Sequence, residues 1–225
     1  MNEVIQIKPQ IGTGIFTYPD IALILGVTHS NAFLWLTSFS KHRYGRLYTS
    51  TYSWKTGSSI AYNFNTLIEL FTFYHLSKMI TSTRDLIIAH DLMRIQLKTL
   101  YPFANKLVLE GIDGKRVHFD LNHKTLYSLK AFKPSNFNLF KEYISKLEFN
   151  SDAGANRYWP LGKGKSIVCD PENQFGTPII FGTNIHSEVL YKLYLGYEPV
   201  DFIACLYGIT AEQVQDAIDF HKAVL

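Results

Sequence analysis

The sequence predicts an α+β protein that is mainly helical. Its 225 residues are 47% hydrophobic and 18% charged, which supplies enough apolar side chains for a sizeable core and excludes a disordered chain. In several segments the apolar residues recur at three- and four-residue steps, which is the period of an amphipathic helix. Two other regions, 44–62 and 106–129, carry the residue types and turn signals that are typical of β-strands.

Two short helices are predicted near the N-terminus. Thr17 can cap the first helix, Pro19 suits its first turn, and Gly26 interrupts it. Thr28 can cap a second helix that runs to about residue 40. This spacing is typical of a helix-turn-helix, which inserts its second helix into the major groove of DNA, although a plain helical hairpin has the same pattern.

The start of the second predicted helix supplies candidate base contacts. In a helix-turn-helix the first residues of that helix meet the base edges, and here they are Thr28, His29, Ser30 and Asn31. The Asn31 amide can hydrogen-bond adenine in two places, and hydroxyl groups suit either phosphates or bases. These four residues are therefore the predicted base-reading set.

A basic β-ribbon is predicted after this motif. Residues 44–62 are rich in Tyr, Ser, Thr and Gly, and no acidic residue lies between Asp20 and Glu69. The same acid-free stretch contains four basic residues, Lys41, Arg43, Arg46 and Lys55. A basic ribbon beside a helix-turn-helix is typical of a wing that contacts phosphates, so these four residues are the predicted phosphate anchors. An exposed loop is the alternative.

The net charge of +3 divides into two opposed parts. From Asp170 to the C-terminus the chain has eight acidic and two basic residues, a net charge of −6, and the remainder carries +9. Such an asymmetry suggests a front half that faces nucleic acid and a back half with a different partner. Two ordinary domains with unequal surface charge would give the same numbers.

The other elements follow from periodicity and turn signals. Further helices are predicted at 65–77, 83–100, 136–146, 186–195, 199–207 and 210–224. Strands are predicted at 106–110, 115–120, 125–129, 147–149, 157–159, 167–169 and 179–181, with a hairpin turn at 111–114 between the first two. The resulting architecture is a winged helix-turn-helix domain with long helices at 1–100, a β-hairpin and helix with a flexible linker at 101–165, and a three-helix domain at 166–225.

Motifs for catalysis are missing from the sequence. Gly164-Lys165-Ser166 ends like a phosphate-binding loop, but Trp159 stands where that motif needs a glycine. His118 and Asp120 would place two metal ligands on one strand face, yet no further cluster completes a site. Nucleophile motifs are missing as well. The sequence therefore predicts a protein that is not an enzyme and needs neither cofactor nor metal.

The sequence also favours a cytoplasmic protein without a membrane span. Its longest strongly apolar run, 21–27, is seven residues, against about 20 for a spanning helix, and the N-terminus lacks the pattern of a secretory signal. Cys169 and Cys205 form neither a disulfide framework nor a close metal-ligand pair, which fits a reducing compartment.

The C-terminal part resembles a small antitoxin domain family, long known as a domain of unknown function. The resemblance covers 166–221 and rests on 166–171, 174–185, 195–199, 203–204, 207–210 and 214–218. The front half is similar to the DNA-binding domain of larger VapB-like antitoxins, and in outline to MerR-type winged helices. Its matching residues lie at 16–19, 25–27, 35–36, 64–70, 88–90, 101–104, 113–115 and 159–160.

This resemblance implies the antitoxin of a toxin–antitoxin pair. Such a protein would neutralise a PIN-like ribonuclease by direct binding, and as a homodimer it would repress its own operon by binding double-stranded operator DNA. The sequence departs from the family pattern in two places. Phe33 and Leu34 stand where relatives carry basic residues in the recognition helix, and Asn184 replaces the usual Arg of a Gly-Thr-Arg-Ile motif.

Two alternatives stay open from the sequence. One is a stand-alone MerR-like transcriptional regulator that senses a ligand through residues 101–165. The other is a protein-interaction adaptor without DNA contact, which the apolar Phe33 and Leu34 would suit.

Overall fold

A computed structural model describes residues 11–33, 36, 53–79, 83–112, 116–121, 124–130 and 135–223. These residues form a mixed α+β protein that is mainly helical, which confirms the predicted fold class. The described residues divide into two compact units, one mainly within 65–156 and the other within 11–33, 54–64 and 157–223. The predicted division into three domains, with boundaries at 100 and 165, stays a prediction.

The elements alternate between helices and short strands along the chain. In order they are α1 (Tyr18–Leu25), α2 (described over 29–33 and at 36), β1 (Ser53–Thr56), β2 (Ser59–Tyr62), α3 (Phe64–Met79), α4 (Thr83–Gln96), a 3-10 turn (Pro102–Ala104), α5 (Lys106–Glu110), β3 (Arg116–Leu121), β4 (Lys124–Lys130), α6 (Ser135–Ser145), β5 (Leu147–Phe149), β6 (Ala155–Tyr158), β7 (Ile167–Val168), a second 3-10 turn (Gln174–Gly176), β8 (Ile179–Ile180), α7 (Ser187–Leu195), α8 (Val200–Tyr207) and α9 (Ala211–Lys222). Consecutive strands pair as β1–β2, β3–β4, β5–β6 and β7–β8.

Both front helices begin where the sequence predicts, and the first also ends there. The N–H of Thr17 donates to the Asp20 carboxylate at 2.7 Å, which caps α1. Gly26 ends α1 in the left-handed conformation, with φ of 62°. The hydroxyl of Thr28 accepts the N–H of Asn31 at 3.2 Å, which caps α2. Both predicted caps are confirmed, whereas the predicted end of the second helix near residue 40 lies outside the described residues.

The prediction of a strand at 106–110 was wrong. This segment is the short helix α5, and the strand β3 pairs in antiparallel register with β4 instead. The side chain of Asn105 caps the helix by accepting the N–H of Leu107 at 2.9 Å, and Lys106 and Glu110 form an ion pair across one turn. Two adjacent residues, Val108 and Leu109, are both buried, which suits a helix rather than an alternating strand.

The core of the first unit contains a buried pair of ionisable side chains. Glu69 of α3 and His90 of α4 are both fully buried, and Nε2 of His90 lies 2.6 Å from Oε1 of Glu69. The other carboxylate oxygen of Glu69 accepts the N–H of Ala104 at 3.0 Å. The pair therefore links two helices to the 3-10 turn through three groups that water does not reach.

The C-terminal helices close around one apolar cluster in the second unit. Its fully or largely buried members come from β7, β8 and all three helices, and they are Ile167, Ile180, Leu190, Ile203, Ala204, Val214, Ala217, Ile218 and Phe220. The predicted Thr210–Gln213 capping box is present at the start of α9, with hydrogen bonds of 2.9 and 3.2 Å. Leu23 of α1 also packs against this cluster.

The last residues of the predicted flexible linker are anchored to α9. Asp216 is buried, and its two carboxylate oxygens accept from Nζ of Lys165 at 2.8 Å and from the N–H of Ser166 at 2.9 Å. The contact fixes the point at which the chain enters β7, so this end of the segment is held in place rather than free.

Removing that anchor is expected to destabilise the second unit. Asp216→Ala leaves the N–H of Ser166 without its acceptor, and we expect a loss of about 2–3 kcal/mol in the free energy of unfolding. Urea denaturation followed by tryptophan fluorescence measures it. Asp219→Ala is the control, because Asp219 is exposed on the same helix, and its expected effect is within about 0.5 kcal/mol. Equal losses from the two variants would contradict the anchoring role.

The segment that precedes α1 joins the β1–β2 hairpin to the 3-10 turn at Gln174–Gly176. The backbone of Phe16 pairs with that of Tyr62 through hydrogen bonds of 2.9 and 2.8 Å. The N–H of Ile15 donates to the carbonyl of Phe175 at 2.9 Å. The Phe16 ring is buried directly against Gly176, which leaves no room for a Cβ there. One short segment thus connects the front elements with the C-terminal module.

Candidate functional site

The predicted base-reading residues lie together at the start of α2. Thr28, His29, Ser30 and Asn31 are all exposed. Because the hydroxyl of Thr28 caps the helix, the side chains that follow it are held at a defined helix start. The arrangement presents hydroxyl, imidazole and carboxamide groups to solvent at the helix end that a helix-turn-helix uses.

The predicted phosphate anchors are described only in part. Lys55 is exposed on β1, and the Phe16–Tyr62 pairing holds the hairpin to the segment that enters α1. The start of α2 and the hairpin therefore belong to the same compact unit. Lys41, Arg43 and Arg46 lie outside the described residues.

The described part of α2 carries aromatic rather than basic side chains. Phe33 is 52% exposed, and its ring meets that of Tyr18 edge-on at 5.9 Å. The Tyr18 ring also meets the imidazole of His29 edge-on, with ring centres 6.3 Å apart. Arginine and lysine are absent from residues 29–33. Cationic contacts to a phosphate backbone would have to come from the ribbon and not from this turn of the helix.

A cavity of about 580 Å³ adjoins the start of α2. Its walls come from α1, the start of α2, and the helices α7 and α9, and they comprise Pro19, Asp20, Leu23, Thr28, His29, Thr177, Pro178, His186, Ser187, Glu188, Tyr191 and His221. The volume is in the range of small-molecule sites. Sequence reasoning missed this cavity, because histidines as far apart as 29, 186 and 221 meet only in the folded chain.

Most of the polar groups in the cavity wall already have partners. Nε2 of His221 lies 3.0 Å from the hydroxyl of Ser187, and the His221 ring stacks on Tyr191 with centres 4.9 Å apart. Burial lowers the pKa of His221 below its ordinary value, so the ring is neutral at pH 7. The imidazole of His186 lies 3.2 Å from the Thr177 hydroxyl. Hydrogen bonds and ring stacking therefore tie these side chains of the wall to one another.

Ser187 is buried in the cavity wall, with its hydroxyl against Nε2 of His221. Within the described ranges, no group of three or more His, Cys, Asp or Glu side chains could hold a metal ion. Both cysteines are free, with Cys169 buried and Cys205 exposed. Among the described residues, no helix combines the length and apolar character needed to cross a membrane.

Together the fold and the site define a mainly helical α+β protein with a three-helix C-terminal module. Residues 167–221 match the family described as a protein of unknown function, DUF433, in agreement with the resemblance of this segment to such a domain. No curated protein matches the sequence. The chain is similar to the crystal structure of Rv2018 from Mycobacterium tuberculosis, with a TM-score of 0.63 and 16% identity over 94% of this chain and 100% of that chain. At this identity the likeness shows the fold alone.

Proposed function

We propose that this protein is the antitoxin of a toxin–antitoxin pair, which binds operator DNA and neutralises a PIN-like ribonuclease by direct contact in the cytoplasm. One observation carries the proposal. The exposed, capped start of α2, with its polar residues 28–31, belongs to the same compact unit as the β1–β2 hairpin and the DUF433 domain. The residues proposed to contact DNA and the antitoxin-like module thus belong to one compact unit.

Charge supports two different partners for this protein. The acid-free stretch between Asp20 and Glu69 suits the phosphate backbone, which dominates the affinity of proteins for DNA. The C-terminal segment from Asp170 carries a net charge of −6, which would repel DNA and attract a basic protein. A homodimer would present two copies of α2 about 34 Å apart, one turn of the double helix.

The DNA-binding half is tested by electrophoretic retardation of the chain's own upstream DNA over a range of salt concentrations. Arg43→Ala with Arg46→Ala is expected to weaken binding to all sequences and to lower the slope of log affinity against log salt by up to about 2, because two phosphate contacts are lost. Lys163→Ala, at an exposed lysine outside the acid-free stretch, is the control and should leave the slope unchanged. A wild-type chain that shows no salt-sensitive retardation would refute the repressor half.

Base reading is tested separately at the start of α2. Asn31→Ala removes the carboxamide and is expected to narrow the affinity gap between operator and unrelated DNA by about 1–3 kcal/mol, with little change in the salt slope. Competition binding with a panel of substituted operator sequences measures it. Asn138→Ala, on the exposed side of α6, is the matched control. An unchanged sequence preference would rule Asn31 out as a base contact.

A protein-interaction adaptor without DNA contact is the second candidate. The exposed Phe33, which meets Tyr18 where relatives carry a basic side chain, favours it. The same retardation assay separates the two functions. The adaptor binds the ribonuclease and shows no salt-sensitive DNA binding, whereas the proposed antitoxin does both. A stand-alone MerR-like regulator would bind DNA and leave the ribonuclease active.

A further inference from the structure

The helix α8 has an apolar face that points away from the core of its own module. Ile203 and Ala204 are buried in the core cluster. Phe202 and Leu206, one helical turn apart, are 52% and 58% exposed. Cys205 lies between them on the same exposed side. Large apolar side chains grouped on an exposed helix face are typical of an interaction surface.

The turn before α8 carries a further exposed aromatic side chain, on a residue whose backbone conformation is unfavourable for a residue other than glycine. Tyr197 is 96% exposed and has φ of 67°, a conformation in which glycine is strongly favoured. Its N–H donates to the carbonyl of Tyr194 at 3.0 Å, and the N–H of Glu198 donates to the carbonyl of Leu193 at 3.2 Å, as in the C-terminal cap of a helix. A tyrosine here serves neither the turn nor the core. Non-glycine residues in such strained positions are common at functional sites.

The acidic residues around this surface indicate which kind of partner it would bind. Between Lys192 and Lys222 the chain has five acidic residues and neither lysine nor arginine. Two of the acidic residues, Glu198 and Asp201, are exposed beside Tyr197 and Phe202 along the chain. A negatively charged rim around apolar anchors favours a basic protein partner, since opposite potentials steer association and fix orientation.

The same charges argue against DNA and against a second copy of this face. DNA would meet like charge. In a two-fold symmetric dimer formed through α8, identical patches face each other, so that the Asp201 and Glu198 carboxylates of both copies would be brought together. Like charges placed across an interface oppose association.

We propose that the outward face of α8 (Asp201, Phe202, Cys205 and Leu206), with Tyr197 and Glu198 of the preceding turn, is the docking surface for the basic ribonuclease. This inference rests on the proposed antitoxin function. The apolar side chains and Tyr197 anchor the partner, and the two carboxylates steer it. The start of α2 is not part of the surface, so DNA binding and ribonuclease binding use different residues.

The test is a calorimetric titration of the purified full-length chain with the protein encoded by the adjacent reading frame, which the proposed function requires to be the ribonuclease. Phe202→Ala with Leu206→Ala is expected to weaken binding at least tenfold, as loss of interface anchors does. Ile95→Ala, at a more exposed apolar side chain on α4, is the control and should leave the affinity unchanged. Asp201→Asn is expected to slow association and reduce its salt dependence, with little effect on dissociation, and surface plasmon resonance at several salt concentrations measures both rates.

Tyr197→Gly separates docking from folding. Glycine relieves the left-handed backbone, so the midpoint of thermal unfolding should stay the same or rise, while ribonuclease binding weakens at least tenfold. A residue with a purely structural role would change both quantities in the same direction.

The outcomes are distinct. If the wild-type chain binds the ribonuclease and all of the α8 and Tyr197 variants bind equally well, the docking surface is wrong and the antitoxin function stands. If the wild-type chain does not bind the ribonuclease at all, the antitoxin function itself is wrong. If sedimentation shows that the Phe202 and Leu206 substitutions break a dimer, the face joins two copies of the chain, and the ribonuclease assignment is overturned.

Discussion

Gly176→Ala is expected to destabilise the second unit by roughly 2–5 kcal/mol. A Cβ at this position would overlap the buried ring of Phe16, and forcing such a ring to move costs about 1–3 kcal/mol. The backbone of Gly176 also has φ of 84°, which adds about 1–2 kcal/mol for a residue with a side chain. Because Phe16 also pairs with Tyr62, the substitution should loosen the β1–β2 hairpin. Hydrogen exchange at the N–H of Tyr62 measures that loosening, and urea denaturation measures the stability.

Two further variants separate the backbone cost from the overlap. Gly182 has φ of 77°, and nothing lies within 4 Å of the position of its Cβ, so Gly182→Ala carries only the backbone cost. Replacing Phe16 by the smaller leucine should cost at least about 1 kcal/mol less free energy of unfolding in the Gly176→Ala background than in the wild type, as expected for residues in contact. If Gly176→Ala and Gly182→Ala cost the same, the Phe16 ring is not held tightly against Gly176.

His90→Leu is expected to cost about 3–5 kcal/mol at pH 7, because it leaves the carboxylate of Glu69 buried without its ionic partner. Burial alone lowers the pKa of His90, but the neighbouring Asp91 and Glu69 carboxylates together outweigh burial and raise that pKa. A raised pKa in the folded state stabilises the protein fully below the unfolded value of about 6.5, and this contribution is lost as the pH rises through the folded value. The difference in the free energy of unfolding between wild type and His90→Leu should therefore become smaller as the pH rises. Urea denaturation from pH 6 upward measures it.

His75 provides a control with the opposite pH dependence in the same unit. Burial lowers the pKa of His75 to about 4, and within the described part of the chain its Nε2 has no hydrogen-bond partner. His75→Leu should change stability at pH 7 by less than about 1.5 kcal/mol. A lowered pKa stabilises the protein above about 6.5, and this contribution is lost as the pH falls towards 4, so the wild type should lose stability there relative to His75→Leu. Identical pH profiles for the His90 and His75 variants would contradict the pairing of His90 with Glu69.

Features decided by neighbouring residues could be predicted from the sequence. The caps at Thr17, Thr28 and Thr210 each depend on contacts within three residues, and the structure confirms them. The helices at the C-terminus follow from their apolar period for the same reason. At 106–110 the local signal was ambiguous, because a short apolar run fits a strand or a helix, and the Asn105 cap decided for the helix.

Features that join distant parts of the chain could not be predicted. The ring of Phe16 contacts Gly176, which lies 160 residues further along the chain. The sequence around neither residue indicates this contact. The cavity beside His29 likewise depends on α7 and α9. The left-handed backbone of Tyr197 could not be predicted either, because the sequence Gly196-Tyr197 does not indicate which of the two residues will adopt that conformation.

The pairing of Ile15 with Phe175 has a consequence for the chain during its synthesis. At a translation rate of about 5–20 residues per second, roughly 8–32 s separate the two residues on the ribosome. Until the 157–223 stretch emerges, the front of the second unit lacks the strand pairs and apolar contacts that complete it. In a polypeptide released early, residues 28–31 would therefore belong to an incompletely folded unit. Residues 157–223 are thus required before the front of this unit completes its packing, and products truncated before them are expected to be cleared.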